Sequence, residues 1–214
     1  MSLLFMDCPL SSRNQLPKLL NRRKLLGTAI EIGTHQAEYA EIFLSIWKGE
    51  TLYCIDPWQN TSSDYEQQAQ SLPEAKETRI HDLDIAKRRL QRFGKRAVIV
   101  PKTSQEALTT QMNLSSADFV YVDGDHTEDA VFNDLNLAWS VLERGGILAG
   151  HDIICPNEVR GGWGQFIQLA LTRFCDSFSN TIYVYLIKEE GGLPWSYFMI
   201  KGDHNNGTGA LNYE

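Results

Sequence analysis

The chain has 214 residues and a formal net charge of −7, and its length suits one globular domain with a full core under a central sheet. Hydrophobic residues make up 43% and charged residues 22% of the chain, fractions that exclude disordered and fibrous proteins. The acidic balance argues against non-specific binding of nucleic acid, because that binding requires a basic surface.

No apolar run is long enough to span a membrane, and the apolar start of the chain breaks at Asp7, before it could form a secretory signal. The four cysteines lie far apart without a C-x-x-C pair, which predicts reduced thiols and a cytoplasmic protein. We expect a short N-terminal segment over residues 1–26, one domain over residues 27–202 and a flexible tail over residues 203–214.

Short β-rich runs alternate with helix-length stretches, which predicts a mostly parallel sheet with helices on both faces. The predicted strands are Thr28–Ile32, Thr51–Asp56, Ala97–Pro101, Asp118–Asp123, Gly146–Ala149, Thr181–Ile187 and Ser196–Lys201. The predicted helices include Glu38–Trp47, Leu83–Phe93 and Thr127–Leu142. The link Lys188–Pro194 is too short for a helical crossover, so the last two strands should form an antiparallel hairpin. The fold class predicted is therefore α/β and Rossmann-like, with seven strands and an antiparallel last strand.

The first predicted strand leads into a loop with a glycine. Gly33 follows the buried strand directly, so the backbone can turn tightly there and approach a ligand closely. The candidate cofactor-binding residues of this loop are Glu31, Gly33, Thr34 and His35. The same pattern also fits a plain turn between a strand and a helix.

The next two predicted strands end in further polar side chains. Asp56 lies about 25 positions after Glu31, a spacing at which an acid can bind both ribose hydroxyls of a nucleotide-type cofactor. Ser104 and Gln105 follow the third strand and offer a hydroxyl and an amide to the edge of an adenine ring. Asp56 also fits a loop cap before Pro57, and Ser104 also fits a helix N-cap.

The loop after the first strand favours one cofactor over another. A dinucleotide fingerprint, G-x-G-x-x-G, requires later glycines that admit a pyrophosphate. Here Gly33 is followed by the acidic Glu38 at a helix start, where a phosphate and the carboxylate would compete for the same amides. S-adenosylmethionine (SAM) carries no phosphate, and its sulfonium is positive. The sequence therefore predicts SAM, with a dinucleotide as the alternative.

Titratable side chains cluster at the ends of two further strands. Asp123, Asp125 and His126 end one of them, and His151 and Asp152 end the next. Crowded carboxylates repel unless a cation or a proton lies between them, and a hard divalent ion such as Mg²⁺ resolves this repulsion. Direct coordination by His151 would favour Mn²⁺. The predicted metal ligands are Asp123, His151 and Asp152, while helix capping and ordinary packing remain as alternatives.

Taken together, these segments resemble the class I SAM-dependent methyltransferases. The likeness is closest to small-molecule O-methyltransferases of the catechol and macrolide-sugar types, and it covers Thr28 to Lys201. It implies that Asp56 binds the ribose of SAM, and that the segments ending in Asp123–His126 and His151–Asp152 form the metal and catalytic region. The chain departs from the family at Ala37, where glycine is frequent.

The resemblance implies in-line attack by an oxygen of a small molecule on the methyl group of SAM. His126 is the candidate general base, because an imidazole titrates in the useful range. Asp123 is expected to contact the cofactor as well as a cation, which would be Mg²⁺ or Mn²⁺. Two alternatives stay open: a metal-dependent hydrolase that uses the Asp/His cluster, and a SAM-binding protein without turnover. The sequence does not decide the acceptor or the oligomeric state, a homo-oligomer included.

Overall fold

The computed structural model describes residues 4–58, 73–111, 116–154, 163–192 and 194–202. They form an α/β fold around one eight-stranded sheet. The strands are β1 (Leu4–Asp7), β2 (Thr28–Ile32), β3 (Thr51–Ile55), β4 (Ala97–Val100), β5 (Ala117–Val122), β6 (Leu142–Ile153), β7 (Tyr183–Ile187) and β8 (Trp195–Ile200). Residues 203–214, for which we expect a flexible tail, lie outside the described ranges.

The strand order is β1-β7-β8-β6-β5-β2-β3-β4. Strand β8 pairs antiparallel with β6 and with β7, and every other pairing is parallel. The predicted Rossmann-like sheet with an antiparallel last strand is therefore confirmed, and so is the β7–β8 hairpin. The sheet also contains an eighth strand, β1, which the sequence analysis did not predict.

Helices cover both faces of the sheet. They are α1 (Leu16–Arg23), α2 (Glu38–Ile46), α3 (Pro73–Leu90), the single turn α4 (Ser104–Glu106), α5 (Glu128–Val141) and α6 (Trp163–Asp176). The predicted helix over Leu83–Phe93 covers the end of α3, which begins ten residues earlier at Pro73, and the start of the 3₁₀ helix Gln91–Arg96. Strand β6 is longer than its predicted core, Gly146–Ala149, at both ends. No helix of the described ranges is both long and apolar enough to cross a membrane.

Alternate side chains of the strands enter two apolar cores, one on each face. Ala29 of β2 packs with Phe43 and Trp47 of the α2 segment, whereas Ile30 of the same strand packs with Leu135 of α5 on the other face. Strands buried on both faces are continuous apolar runs, and this is the pattern that made β2 to β5 predictable. Both cores end at the carboxyl edge of the sheet, where the polar side chains begin.

Candidate functional site

The carboxyl ends of β5, β2, β3 and β4, which are neighbours in this order, lie at one level. The amide of Gly33 donates to the carbonyl of Ile55 at 2.9 Å, and the amide of Asp123 donates to the carbonyl of Ile32 at 2.9 Å. The amide of Asp56 donates to Val100 at 3.3 Å. These bonds continue the parallel ladders for one residue beyond each strand, so the side chains that follow β2, β3 and β5 meet at one edge.

A tight turn after β2 brings the backbone against the end of β5. Gly33 has a φ of +85°, a conformation that residues with a Cβ rarely adopt. A Cβ at this position would lie 2.6 Å from the Cα of Gly124, and closer still to the carbonyl oxygen of Asp123. Both the conformation and the space therefore require glycine.

Two buried polar side chains at this turn have atoms without a hydrogen-bond partner among the described residues. Glu31 and Thr34 are each only 4% exposed. Within the described residues, Oε2 of Glu31 and Oγ1 of Thr34 make no hydrogen bond. Burial raises the pKa of Glu31 to about 8. Because an orphaned buried polar atom is costly, this pair is suited to a bound group that carries donors or a positive charge.

Asp56 holds the loop beside this turn. Its carboxylate accepts hydrogen bonds from the amide of His35 at 2.9 Å and from the amide of Trp58 at 2.8 Å. The indole of Trp58 donates to the carbonyl of His35 at 2.8 Å, and Nε2 of the exposed His35 ring lies 3.3 Å from Asp82. Asp56 thus caps the loop, as one interpretation of the sequence had it, and remains partly exposed at the strand end.

Ser104 and Gln105 lie past β4 at the same edge of the sheet. Thr103, and not Ser104, is the N-cap of this turn, where it forms a capping box with Glu106. The hydroxyl of Ser104 donates to the carboxylate of Asp134, whose pKa burial raises to about 6. Gln105 is exposed. Ser104 is therefore held to α5 by this hydrogen bond, whereas the side chain of Gln105 is exposed to solvent at the carboxyl edge of the sheet.

The Asp/His cluster has one close pair at its centre. Nε2 of His126 lies 2.6 Å from Oδ2 of Asp152 and 4.0 Å from Oδ1 of Asp123. Although burial opposes ionisation of Asp152, its hydrogen bonds with His126 and His151 hold its pKa well below the usual range. The hydrogen bond to Asp152 raises the pKa of His126. The pair is therefore a carboxylate that strengthens an imidazole as a base.

Three of these side chains form a group that could hold a metal ion. One ligand atom each from Asp123, His126 and Asp152 lies within 4.8 Å of the other two. Two carboxylate oxygens and one imidazole nitrogen suit Mg²⁺ or Mn²⁺. His151 stands beside this group, with Nδ1 at 2.9 Å from the other oxygen of Asp152. The predicted ligands Asp123 and Asp152 thus come together, and His126 occupies the place in the group expected for His151.

Sequence analysis missed one charged side chain of the site, Arg13. Its Nη1 donates to the hydroxyl of Tyr121 at 3.0 Å and to Oδ2 of Asp123 at 3.2 Å. Arg13 belongs to the N-terminal segment, and 110 positions separate it from Asp123. No local pattern around Arg13 marks this role, because the contact arises only when the segment crosses the edge of the sheet.

The sequence matches one family of known proteins. The family described as "Methyltransferase domain" matches residues 30–153, which is more than half of the chain. No protein with a curated description matches the chain. The matched range begins in β2 and ends in β6, so it contains the glycine turn, Asp56 and the whole Asp/His cluster.

Many solved structures share the fold. An O-methyltransferase from Bacillus cereus in complex with SAH superposes with a TM-score of 0.60 at 13% identity, over 88% of this chain and 80% of that one. TomG, an O-methyltransferase from Streptomyces achromogenes involved in tomaymycin synthesis and solved with SAM, gives 0.58 at 15% identity, over 89% and 80%. An rRNA methylase from Streptococcus thermophilus gives 0.52 at 12% identity, over 83% and 87%. At these identities the likeness establishes the fold and leaves the acceptor open.

Proposed function

Because the chain belongs to the methyltransferase domain family, we propose that it transfers the methyl group of SAM to an oxygen of a small molecule. The assignment of SAM as the cofactor rests on two buried atoms beside the Gly33 turn, Oε2 of Glu31 and Oγ1 of Thr34, which make no hydrogen bond within the described residues. A cationic ligand at this turn would favour the ionised form of Glu31, which burial otherwise disfavours. SAM, when bound, supplies an electrophilic methyl group on a positively charged sulfur.

The acids of the same loop argue against a dinucleotide. Glu31 is buried below the turn, and Glu38 and Glu41 lie in the first turn of α2. The amides at this helix start would otherwise be the natural site for a pyrophosphate. Negative charges of the protein and of a phosphate would meet there. Asp56, at the end of β3, accepts one amide at each carboxylate oxygen and keeps a second lone pair on each for the neutral ribose hydroxyls of the adenosine part.

His126 is the group proposed to remove the acceptor proton. Its hydrogen bond with Asp152 raises its pKa, and Asp152 stabilises the imidazolium that forms when the proton arrives. Holding the two reactants in an in-line arrangement is the larger part of the catalytic task. A divalent cation held by Asp123, His126 and Asp152 would be the alternative to this base, because His126 would then be a ligand and the cation itself would lower the pKa of an acceptor hydroxyl.

The contacts of the basic residues favour a small acceptor over RNA. The longest basic stretch runs from the end of α3 into the turn before β4. Arg89 and Arg92 pair with acids of α2, and Arg96 donates to three backbone carbonyls at the end of α2. These charges therefore serve the fold, and the net charge of −7 repels a polyanion.

The first test is calorimetric titration with S-adenosylhomocysteine, with NAD⁺ as the control ligand. We expect one-site binding of the thioether near micromolar, about −8 kcal/mol, and none of NAD⁺. The variant Asp56→Ala should weaken this binding at least tenfold, whereas Asp84→Ala, which removes an exposed acid of α3, should not. Folded protein that fails to bind the thioether would refute the SAM assignment.

The second test separates the acceptor classes. Transfer of a labelled methyl group from SAM is measured to a panel of phenols, catechols and sugars, and in parallel to total RNA. Transfer to small hydroxyl compounds, lost in His126→Ala, is the expected result. Transfer to RNA alone would refute the small acceptor, and binding without transfer to either class would indicate a SAM-binding protein without turnover.

A further inference from the structure

Residues 8–15, here named the N-terminal strap, cross the carboxyl edge of the sheet. The strap leaves β1 at the far side of the sheet and is held by the β7–β8 turn, where the amide of Arg13 donates to Glu189 at 2.8 Å and the amide of Glu190 donates to the carbonyl of Ser11 at 3.2 Å. The hydroxyl of Tyr39 donates to the carbonyl of Arg13 at 3.2 Å. The backbone of Arg13 is therefore held at its amide by Glu189 and at its carbonyl by Tyr39.

The side chain of Arg13 points to the central strand ends. Its guanidinium lies over the ring of Tyr39, at 5.1 Å from the ring centre, and contacts Tyr121 and Asp123 through Nη1. Tyr121 is the direct neighbour of Glu31 in the parallel ladder of β5 and β2. Arg13 thus stands on the same face as Glu31, next to the Gly33 turn.

Arg13 keeps hydrogen-bonding capacity in this position. A guanidinium carries five N–H donors, and within the described part of the chain the side chain of Arg13 donates only through Nη1. Nε and Nη2 remain, and their parallel N–H groups match the two oxygens of a carboxylate. The side chain is 29% exposed, so a ligand at the edge can reach it.

The charge of the site requires such a cation. SAM ends in an amino acid, with an α-ammonium and an α-carboxylate close together. Glu31 and Asp123 suit the positive groups of SAM, but both acids repel its α-carboxylate. The guanidinium of Arg13 contacts Asp123 at this edge, so its positive charge offsets the repulsion between the acids and the α-carboxylate of SAM.

We propose that Arg13 of the N-terminal strap binds the α-carboxylate of SAM and so selects a cofactor that carries its complete amino-acid part. This inference rests on the proposed function. It gives the strap a role in cofactor recognition, and it makes Arg13 a binding residue in addition to the counter-ion of Asp123.

The test compares two ligands that differ in the amino-acid part, which carries the α-carboxylate. S-adenosylhomocysteine has the α-carboxylate, whereas 5′-methylthioadenosine keeps the adenosine and the thioether and lacks the amino-acid part. Calorimetric affinities for both are measured on the wild type, Arg13→Gln, Arg13→Lys and the control Lys18→Gln. The control removes one positive charge from an exposed position on α1. Thermal melting without ligand verifies that each variant is folded.

A charge-assisted hydrogen bond contributes about 1.5–3 kcal/mol, which is roughly a 10- to 150-fold change in affinity. We expect Arg13→Gln to lose that much affinity for S-adenosylhomocysteine and less than twofold for 5′-methylthioadenosine. Arg13→Lys should recover part of the loss, and Lys18→Gln should behave as the wild type. An equal loss for both ligands, or no loss for either, would overturn the inference while the proposed function stands. A wild type that binds neither ligand would overturn both.

Discussion

Gly33→Ala should destabilise the protein by much more than the left-handed backbone alone explains. A residue with a Cβ at positive φ costs about 1–2 kcal/mol. The new Cβ would also lie 2.6 Å from the Cα of Gly124, and both of the atoms that it meets first are backbone atoms. The ends of β2 and β5 would have to separate, and overpacking of this kind costs about 1–3 kcal/mol more. The total expected loss is about 2–5 kcal/mol.

Gly145→Ala is the matched control, because Gly145 has nearly the same positive φ, +86°, and an added Cβ would meet nothing within 4 Å. Equilibrium unfolding in urea is measured for both variants and the wild type. With a slope of about 2 kcal/mol per molar urea, the midpoint of Gly33→Ala should lie about 0.5–1.5 M below that of Gly145→Ala. Equal midpoints would show that contact with the end of β5 does not constrain the turn, and would refute this reasoning.

Three further predictions concern the surroundings of the site. Burial raises the pKa of Asp134 to about 6, so ionisation of this side chain destabilises the folded state, and the destabilisation grows as the pH rises from about 4 to 6. Asp134→Asn should therefore be more stable than the wild type in urea at pH 7, and this difference should shrink toward pH 4. Arg96→Lys loses the planar fork that holds three carbonyls at the end of α2, and should lower the stability by about 1–3 kcal/mol in thermal unfolding, whereas Arg92→Lys, on an exposed pair, should change it by less than about 0.5 kcal/mol. EDTA-treated protein should bind Mn²⁺, and Asp152→Ala should abolish this binding while Asp129→Ala, at an exposed position, should retain it.

The sequence predicted the strands that carry the site, because a strand buried on both faces must be an unbroken apolar run. It also predicted that Asp123 and Asp152 meet, since parallel neighbouring strands end at one edge. The sequence did not predict that His126, and not His151, lies in the group with Asp123 and Asp152. The positions of the two histidines depend on the irregularity of β6 at Asp152, which has a φ of +60° although it is not glycine, and no local pattern indicates that conformation.

The features that depend on distant segments were not predictable either. Strand β1 has four residues, and its partner is β7, so that Leu4 lies opposite Tyr183. Arg13 reaches Asp123 only because β1 and the β7–β8 turn hold the strap in place. Periodicity and capping describe neighbours along the chain, and they contain no information on a contact across the whole domain.

The position of β1 has a consequence for the order in which the protein matures during synthesis. Strand β1 is made before the other seven strands of the sheet but is the last that can join it, because its partner, β7, is made after β2 to β6. Closing so long a loop is also slow for entropic reasons. Arg13 therefore reaches the central strands only after the β7–β8 hairpin exists. A chain that stops before this hairpin can assemble the glycine turn and the acids of β2 to β6, but it lacks the turn that holds the strap, so the contact of Arg13 with Asp123 forms only once the hairpin has been made.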